Sequence, residues 1–325
     1  MMRFQMLRYS LAMLLGLAFV TMPAARPNQG TAKKAEASAQ QPPRRISDQT
    51  YRVSVDLVNI FCSVWDKNTN SFVTNLTRED FTVLEDNQKQ EIRNFNRETN
   101  LPLTLSLLVD TSQSVAPKLK FEQEAAISFF QSVLKDKDRA MLVEFDSGVT
   151  LVQDFTNDPN KMSKQIKSLR AAGGTALYDA IYLACDEKLI RETGRKAIVI
   201  LSDGEDQSSK LTFDQALEMA LKAEATIFSI SVNRGGFFGV GDTKNGDRVL
   251  KQLADETGGR AYFPFKVEDL DDSFRQINQE LRSQYNIGYL SSNTRRDGTY
   301  RKVEIKIAEK GLRLSYRKGY YAPTG

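Results

Sequence analysis

Leu103 to Ser114 reads LTLSLLVDTSQS, an apolar run that stops at Asp110 and passes at once into small oxygen-bearing side chains. Leu and Val set around Ser106 suit a central strand buried on both faces of a parallel sheet, and such sheets place ligands beyond the carboxyl ends of their strands. Asp110, Ser112 and Ser114 fall at that end. Spaced by two along a tight loop, one carboxylate and two hydroxyls can turn to the same side, a hard-oxygen set suited to an octahedral divalent cation. Two later stretches extend it: Gly173-Gly174-Thr175 opens a helical pattern with a further hydroxyl, and Ala197 to Asp203 (AIVILSD) is a second apolar strand ending in a carboxylate. Taken singly, Asp110 and Ser112 also suit an ordinary helix cap, and Asp203 in Ser-Asp-Gly-Glu suits a turn. The ordered pattern Asp-x-Ser-x-Ser, then Thr, then Asp favours one site.

DTSQS, GGT and SDGED in this order resemble the metal-ion-dependent adhesion site of a von Willebrand factor A domain, and the chain after residue 46 resembles bacterial exported proteins that combine this domain with short β segments. The resemblance implies that Asp110, Ser112, Ser114, Thr175 and Asp203 hold a metal directly or through water. It implies magnesium, with manganese or calcium as substitutes, and a protein ligand whose exposed Asp or Glu completes the coordination. In that family ligation is linked to movement of the last helix, here Asp269 to Arg282.

Composition excludes whole classes of chemistry. The sequence has no histidine, so no Ser-His-Asp triad, Cys-His pair or histidine-ligated zinc can exist. Two cysteines, Cys62 and Cys185, build neither a disulfide framework nor a four-thiolate site. Met1 to Ala25, with Arg3 and Arg8, an apolar core from Leu11 to Val20 and Pro23-Ala24-Ala25, reads as a signal peptide, an uncleaved anchor being the alternative. Removing Arg3 and Arg8 takes the net charge from +4 to +2, so nothing points to nucleic acid. Residues 26–48 are rich in Gln, Ala, Lys, Arg and Pro and read as a flexible linker. The expectation is export to the periplasm, the cell envelope or the medium, with no membrane span in the mature chain.

From Tyr51 the pattern has period two, and strand-like segments follow to Phe95; alternation returns over Tyr285–Ser291, Tyr300–Ile307 and Leu312–Lys318, with Asp297-Gly298 and Lys310-Gly311 as hairpin turns. These segments predict one β-sandwich built from residues 49–98 and 284–325, two separate β units being the alternative. Between them, residues 99–283 alternate strands with amphipathic helices, including Ala176–Glu192, Phe213–Glu224 and Asp269–Arg282. The fold class is therefore α/β: a doubly wound, mostly parallel sheet inserted in or flanked by a small all-β sandwich, with Asp110 and Asp203 at the switch point and an antiparallel edge strand after Ser147-Gly148. Asn233 to Asp242 (NRGGFFGVGD) follows a strand and carries Phe237 and Phe238, candidate partner contacts beside the metal.

The function expected is an exported, metal-dependent protein-binding module, not an enzyme. A structural envelope protein with a stabilising metal is the second reading. A metal-assisted phosphotransfer or hydrolytic enzyme with Asp110 as nucleophile is weaker, because Ser112 stands where that chemistry places a second acid.

Overall fold

The computed structural model describes residues 57–97, 101–233, 244–266 and 269–325. The expected signal peptide and linker, with the whole stretch before Leu57, and Phe237 and Phe238 lie outside the described residues. In chain order, β1 (Leu57–Asp66), β2 (Phe81–Glu85), β3 (Gln88–Gln90) and β4 (Ile92–Arg97) precede β5 (Leu103–Asp110). Then come α1 (Leu119–Val133), β6 (Arg139–Phe145), β7 (Val149–Thr156), α2 (Pro159–Ile166), α3 (Leu177–Leu183), β8 (Arg195–Ser202), α4 (Phe213–Lys222), β9 (Ala225–Ser231), α5 (Lys244–Thr257), β10 (Ala261–Tyr262) and α6 (Asp269–Leu281). The chain closes with β11 (Tyr285–Leu290), β12 (Tyr300–Ile307), β13 (Leu312–Tyr316) and β14 (Gly319–Tyr321).

Every residue of β5 and of β8 is buried, which is why both read as unbroken apolar runs. They lie side by side in a sheet of order β10-β9-β8-β5-β6-β7, parallel except for the edge strand β7. The pleat divides β5 between two cores. Leu103, Leu105, Leu107 and Val109 pack with α1, α2 and α6, while Leu108 faces α3, α4 and α5 on the other side. The strand order reverses between β5 and β8, so a crevice opens beyond their carboxyl ends.

The remaining strands form two antiparallel sheets, β13-β1-β11-β4 and β14-β12-β2-β3, over one shared core that includes Ile60, Val64, Val83, Ile287 and Ile305. Strands from before and after the α/β part are neighbours, Tyr285 on β11 lying opposite Arg97 on β4. Buried between the sheets, the Glu85 carboxylate accepts from the hydroxyls of Tyr289 and Tyr320, both at 2.9 Å.

Three local expectations need correction. Asp297-Gly298 and Lys310-Gly311 do turn, with Gly298 and Gly311 at φ 69° and 89°, yet the strands they join belong to opposite sheets, so neither closes a hairpin. The run Leu312–Lys318 ends at Tyr316, because Arg317 turns inward to the Asn59 carbonyl and the chain restarts in the other sheet as β14. The helix expected over Ala176–Glu192 is α only to Leu183; a π turn over Ala184–Lys188 and a short 3-10 turn follow, and this change of winding brings both Cys185 and Leu189 into the core.

All described residues belong to one compact unit. Its two parts meet where Ser315 donates to the carbonyls of Gly258 and Gly259, and where the Arg260 guanidinium lies 4.0 Å from the ring of Trp65, the only tryptophan. Gly258 holds φ 86°, and a Cβ there would stand 2.4 Å from the Arg317 nitrogen. Trp65 fluorescence and far-UV circular dichroism should therefore report one coincident unfolding transition. Gly258→Ala should lower the unfolding free energy by about 2 kcal/mol or more in urea titrations.

Candidate metal centre

β5 ends at Asp110, and the turn after it is built by the carboxylate itself. Oδ1 accepts the Ser112 N–H at 2.9 Å, bending the chain before α1, and Oδ2 accepts the Ser202 hydroxyl at 2.7 Å from the last residue of β8. Ser114 donates to Asp203 Oδ2 at 2.7 Å, the Ser112 and Ser114 hydroxyls are 3.0 Å apart, and Asp203 Oδ1 takes the Glu205 N–H at 3.0 Å. Four of the five expected residues thus share one hydrogen-bonded cluster. Thr175 is buried in the adjoining loop. That loop is stitched to the cluster through its backbone: Gln113 N–H reaches the Gly173 carbonyl at 3.1 Å, and the Thr175 carbonyl receives the N–H groups of Gln207 and Ser208 at 3.0 and 2.9 Å. No side-chain hydrogen bond joins Thr175 to the other four.

The donors are all oxygens, which suits hard cations. Among the described residues no three or more His, Cys, Asp or Glu side chains cluster as ligands, so a cation here would rest on two carboxylates and hydroxyls. Among the described residues, no Lys or Arg is ion-paired with Asp110 or Asp203. Burial pushes Asp110 up to about 6, partly opposed by bonds from Ser112 and Ser202 and reinforced by the charge of Asp203. A third acid, Glu122 on α1, is 1% exposed, and both of its carboxyl oxygens lack a hydrogen-bond partner. Burial, then the charge of Asp110, push Glu122 up to about 8, with Lys118 pulling the other way and Asp203 adding to the rise.

Sequence reading missed the residues that brace the loops. Ser202 holds Asp110; Asn233 donates to the Asp203 carbonyl at 2.8 Å and to Asp247 at 2.9 Å; buried Asp179 receives the N–H groups of Lys210 and Leu211. After β8 the chain passes so close to α5 that a Cβ on Gly204, at φ 78°, would lie 2.3 Å from the Gly246 carbonyl oxygen. Glu122 was findable: it falls on the inward stripe Leu119, Glu122, Ala126, Phe129 and Val133.

Residues 105–205, from β5 to just past Asp203, match the family model described as von Willebrand factor type A domain. The chain carries a von Willebrand factor type A domain. It is 29% identical over 163 residues to the human von Willebrand factor A domain-containing protein 3B, covering 48% of this chain and 11% of that protein. It is 26% identical over 186 residues to an uncharacterised protein of Borreliella burgdorferi, covering 52% of this chain and 53% of that one. The match thus spans about a tenth and about half of these two relatives. A solved von Willebrand factor type A structure from Catenulispora acidiphila superposes with a TM-score of 0.47 at 14% identity, over 75% of this chain and 73% of that one. Type A domains often serve adhesion and protein binding. No helix among the described residues is long and apolar enough to cross a membrane.

Glu122 offers a direct check on the electrostatics of this domain. A carboxyl raised from 4.5 in the unfolded chain to about 8 in the fold costs nothing below pH 4.5, and its penalty grows as pH rises to about 8. Glu122→Gln should therefore stabilise the protein in chelator by about 2 kcal/mol at pH 8 and hardly at all at pH 4.5, as read by urea unfolding at the two pH values.

Proposed function

We propose that this chain is an exported protein-binding module whose type A domain takes a divalent cation, magnesium before manganese or calcium. Asp110, Ser112, Ser114, Thr175 and Asp203 would hold it, directly or through water. When bound, the cation supplies a coordination position that accepts a carboxylate from an exposed Asp or Glu of a partner protein. The observation that carries this reading is the pairing of two neighbouring, largely buried carboxylates that share a hydrogen-bonded cluster of hydroxyls and, among the described residues, form no ion pair, beside the buried Glu122 as a third acid. A cation is the simplest group that relieves such a deficit. Ser202 and the Ser112 N–H fix the Asp110 carboxylate, and the Glu205 N–H fixes Asp203, so the oxygens stand in place before any ligand arrives.

Calorimetric titration should find saturable magnesium binding to the full chain and none to Asp110→Asn. Ser202→Ala, which removes only a support, should weaken it by about ten-fold. In pull-downs from envelope extract, a partner should be retained by the wild type in magnesium and released in chelator or by Asp110→Ala. Equal recovery in all three would sink adhesion through the metal and leave a stabilising role for the site.

A further inference from the structure

Three strand positions from β5, roughly 14 Å across the sheet, the outer strand β10 and the outer strand β13 line one cleft of about 550 Å³. Among the described residues each is paired on one side only, β10 with β9 and β13 with β1. At its far end β13 is covered, because Ser315 is taken up by Gly258 and Gly259. Leu312 to Leu314 leave roughly 10 Å of strand edge along the cleft. An open edge carries unpaired N–H and C=O groups, a template for another extended chain.

The charge around this edge has one sign. Lys67, Lys251, Arg313 and Lys318 border the cleft with Arg260, and its single acid, Asp255, is already ion-paired with Lys251. Lys67 and Arg313 are exposed and, among the described residues, have no ion-pair partner. Trp65 lines the wall under Arg260, and Phe263, 47% exposed, lies at the rim.

We propose that this cleft binds an extended, acidic peptide segment of a partner protein, which adds as a strand along Leu312–Leu314 while its carboxylates meet Lys67 and Arg313. Backbone edges favour a peptide over other polyanions, since only a peptide returns both donors and acceptors in strand register. The chain's own residues 26–48 carry five basic and two acidic side chains, the wrong sign for this surface. The site needs no cation and stands apart from the metal-binding reading of Asp110 and Asp203.

The test is fluorescence anisotropy with the full chain in chelator, which silences any metal-dependent binding. The probe is a labelled peptide of alternating Glu and Val. Binding is expected, about ten-fold weaker for the double variant Lys67→Glu, Arg313→Glu, and lost when alternate probe nitrogens are methylated so that the peptide cannot pair with the edge. Circular dichroism of the double variant checks its folding. No binding by the acidic probe, equal binding by a Lys-Val probe, or an unchanged affinity in the double variant would each overturn the proposal. Undiminished binding of the methylated probe, displaced by polygalacturonate, would overturn it too, leaving a surface that answers to charge alone.

Discussion

Arg195 is the side chain that lets two folds share one chain. It is 2% exposed and donates to the Leu101 carbonyl just before β5 and to the Leu281 carbonyl at the end of α6. Both carbonyls sit where the chain crosses between the antiparallel sheets and the α/β sheet. Buried there without a partner, each would carry a desolvation cost of the order of 1–3 kcal/mol. A planar guanidinium with several donors in a fixed fork satisfies both at once, which a lysine cannot do with the same geometry. β4 and β11, the strands on either side of the crossing, are then held as neighbours, and the sandwich closes around the insertion. Arg195 is also the first residue of β8, and Ser202, the last, holds Asp110. One buried strand thus runs from the crossing to the candidate metal centre.

At that far end the balance of charge is reversed. At the crossing a cation holds two carbonyls, whereas the crevice collects Asp110, Asp203 and, deeper, Glu122. Hydrogen bonds from Ser112, Ser202 and Glu205 stabilise the ionised carboxylates but add no positive charge. The hydroxyls between the acids can donate, as Ser114 now does to Asp203, or present lone pairs to a cation. That versatility is what Ser offers here and a third carboxylate would not.

How much of this was legible depended on whether a feature is local. β5 and β8 stood out because burial on both faces leaves an apolar run that ends abruptly in Asp, and the loop residues followed at fixed spacing. The parallel sheet with an antiparallel edge strand was readable for the same reason. Ser202 was not, since its role depends on β8 lying next to β5, a property of sheet order and not of the residues around it. The turns at Gly298 and Gly311 were read correctly as turns and wrongly as hairpins, because the choice of sheet is made by distant contacts such as those converging on Glu85. The break in the long helix after Leu183 likewise answers to the core beneath it.

The last helix joins these themes. Near its end, α6 buries Glu280, which is ion-paired with Arg260 at 3.4 Å and accepts from Tyr262; Arg260 in turn stacks on Trp65 of β1. Sliding that end of the helix would strip a fully buried acid of its partners, and burial already pushes its carboxyl above the usual range. Ion-pairing of Arg282 to Asp138 and the Arg195 bond to Leu281 add to the restraint. At its other end Leu270 lines a small cavity with Glu122, Asn233 and Phe265, beside the loops of the candidate metal centre. Glu122 in that lining is unsatisfied, so charge in the crevice is felt next to Leu270, whereas Glu280 and its partners hold the other end of α6 in place.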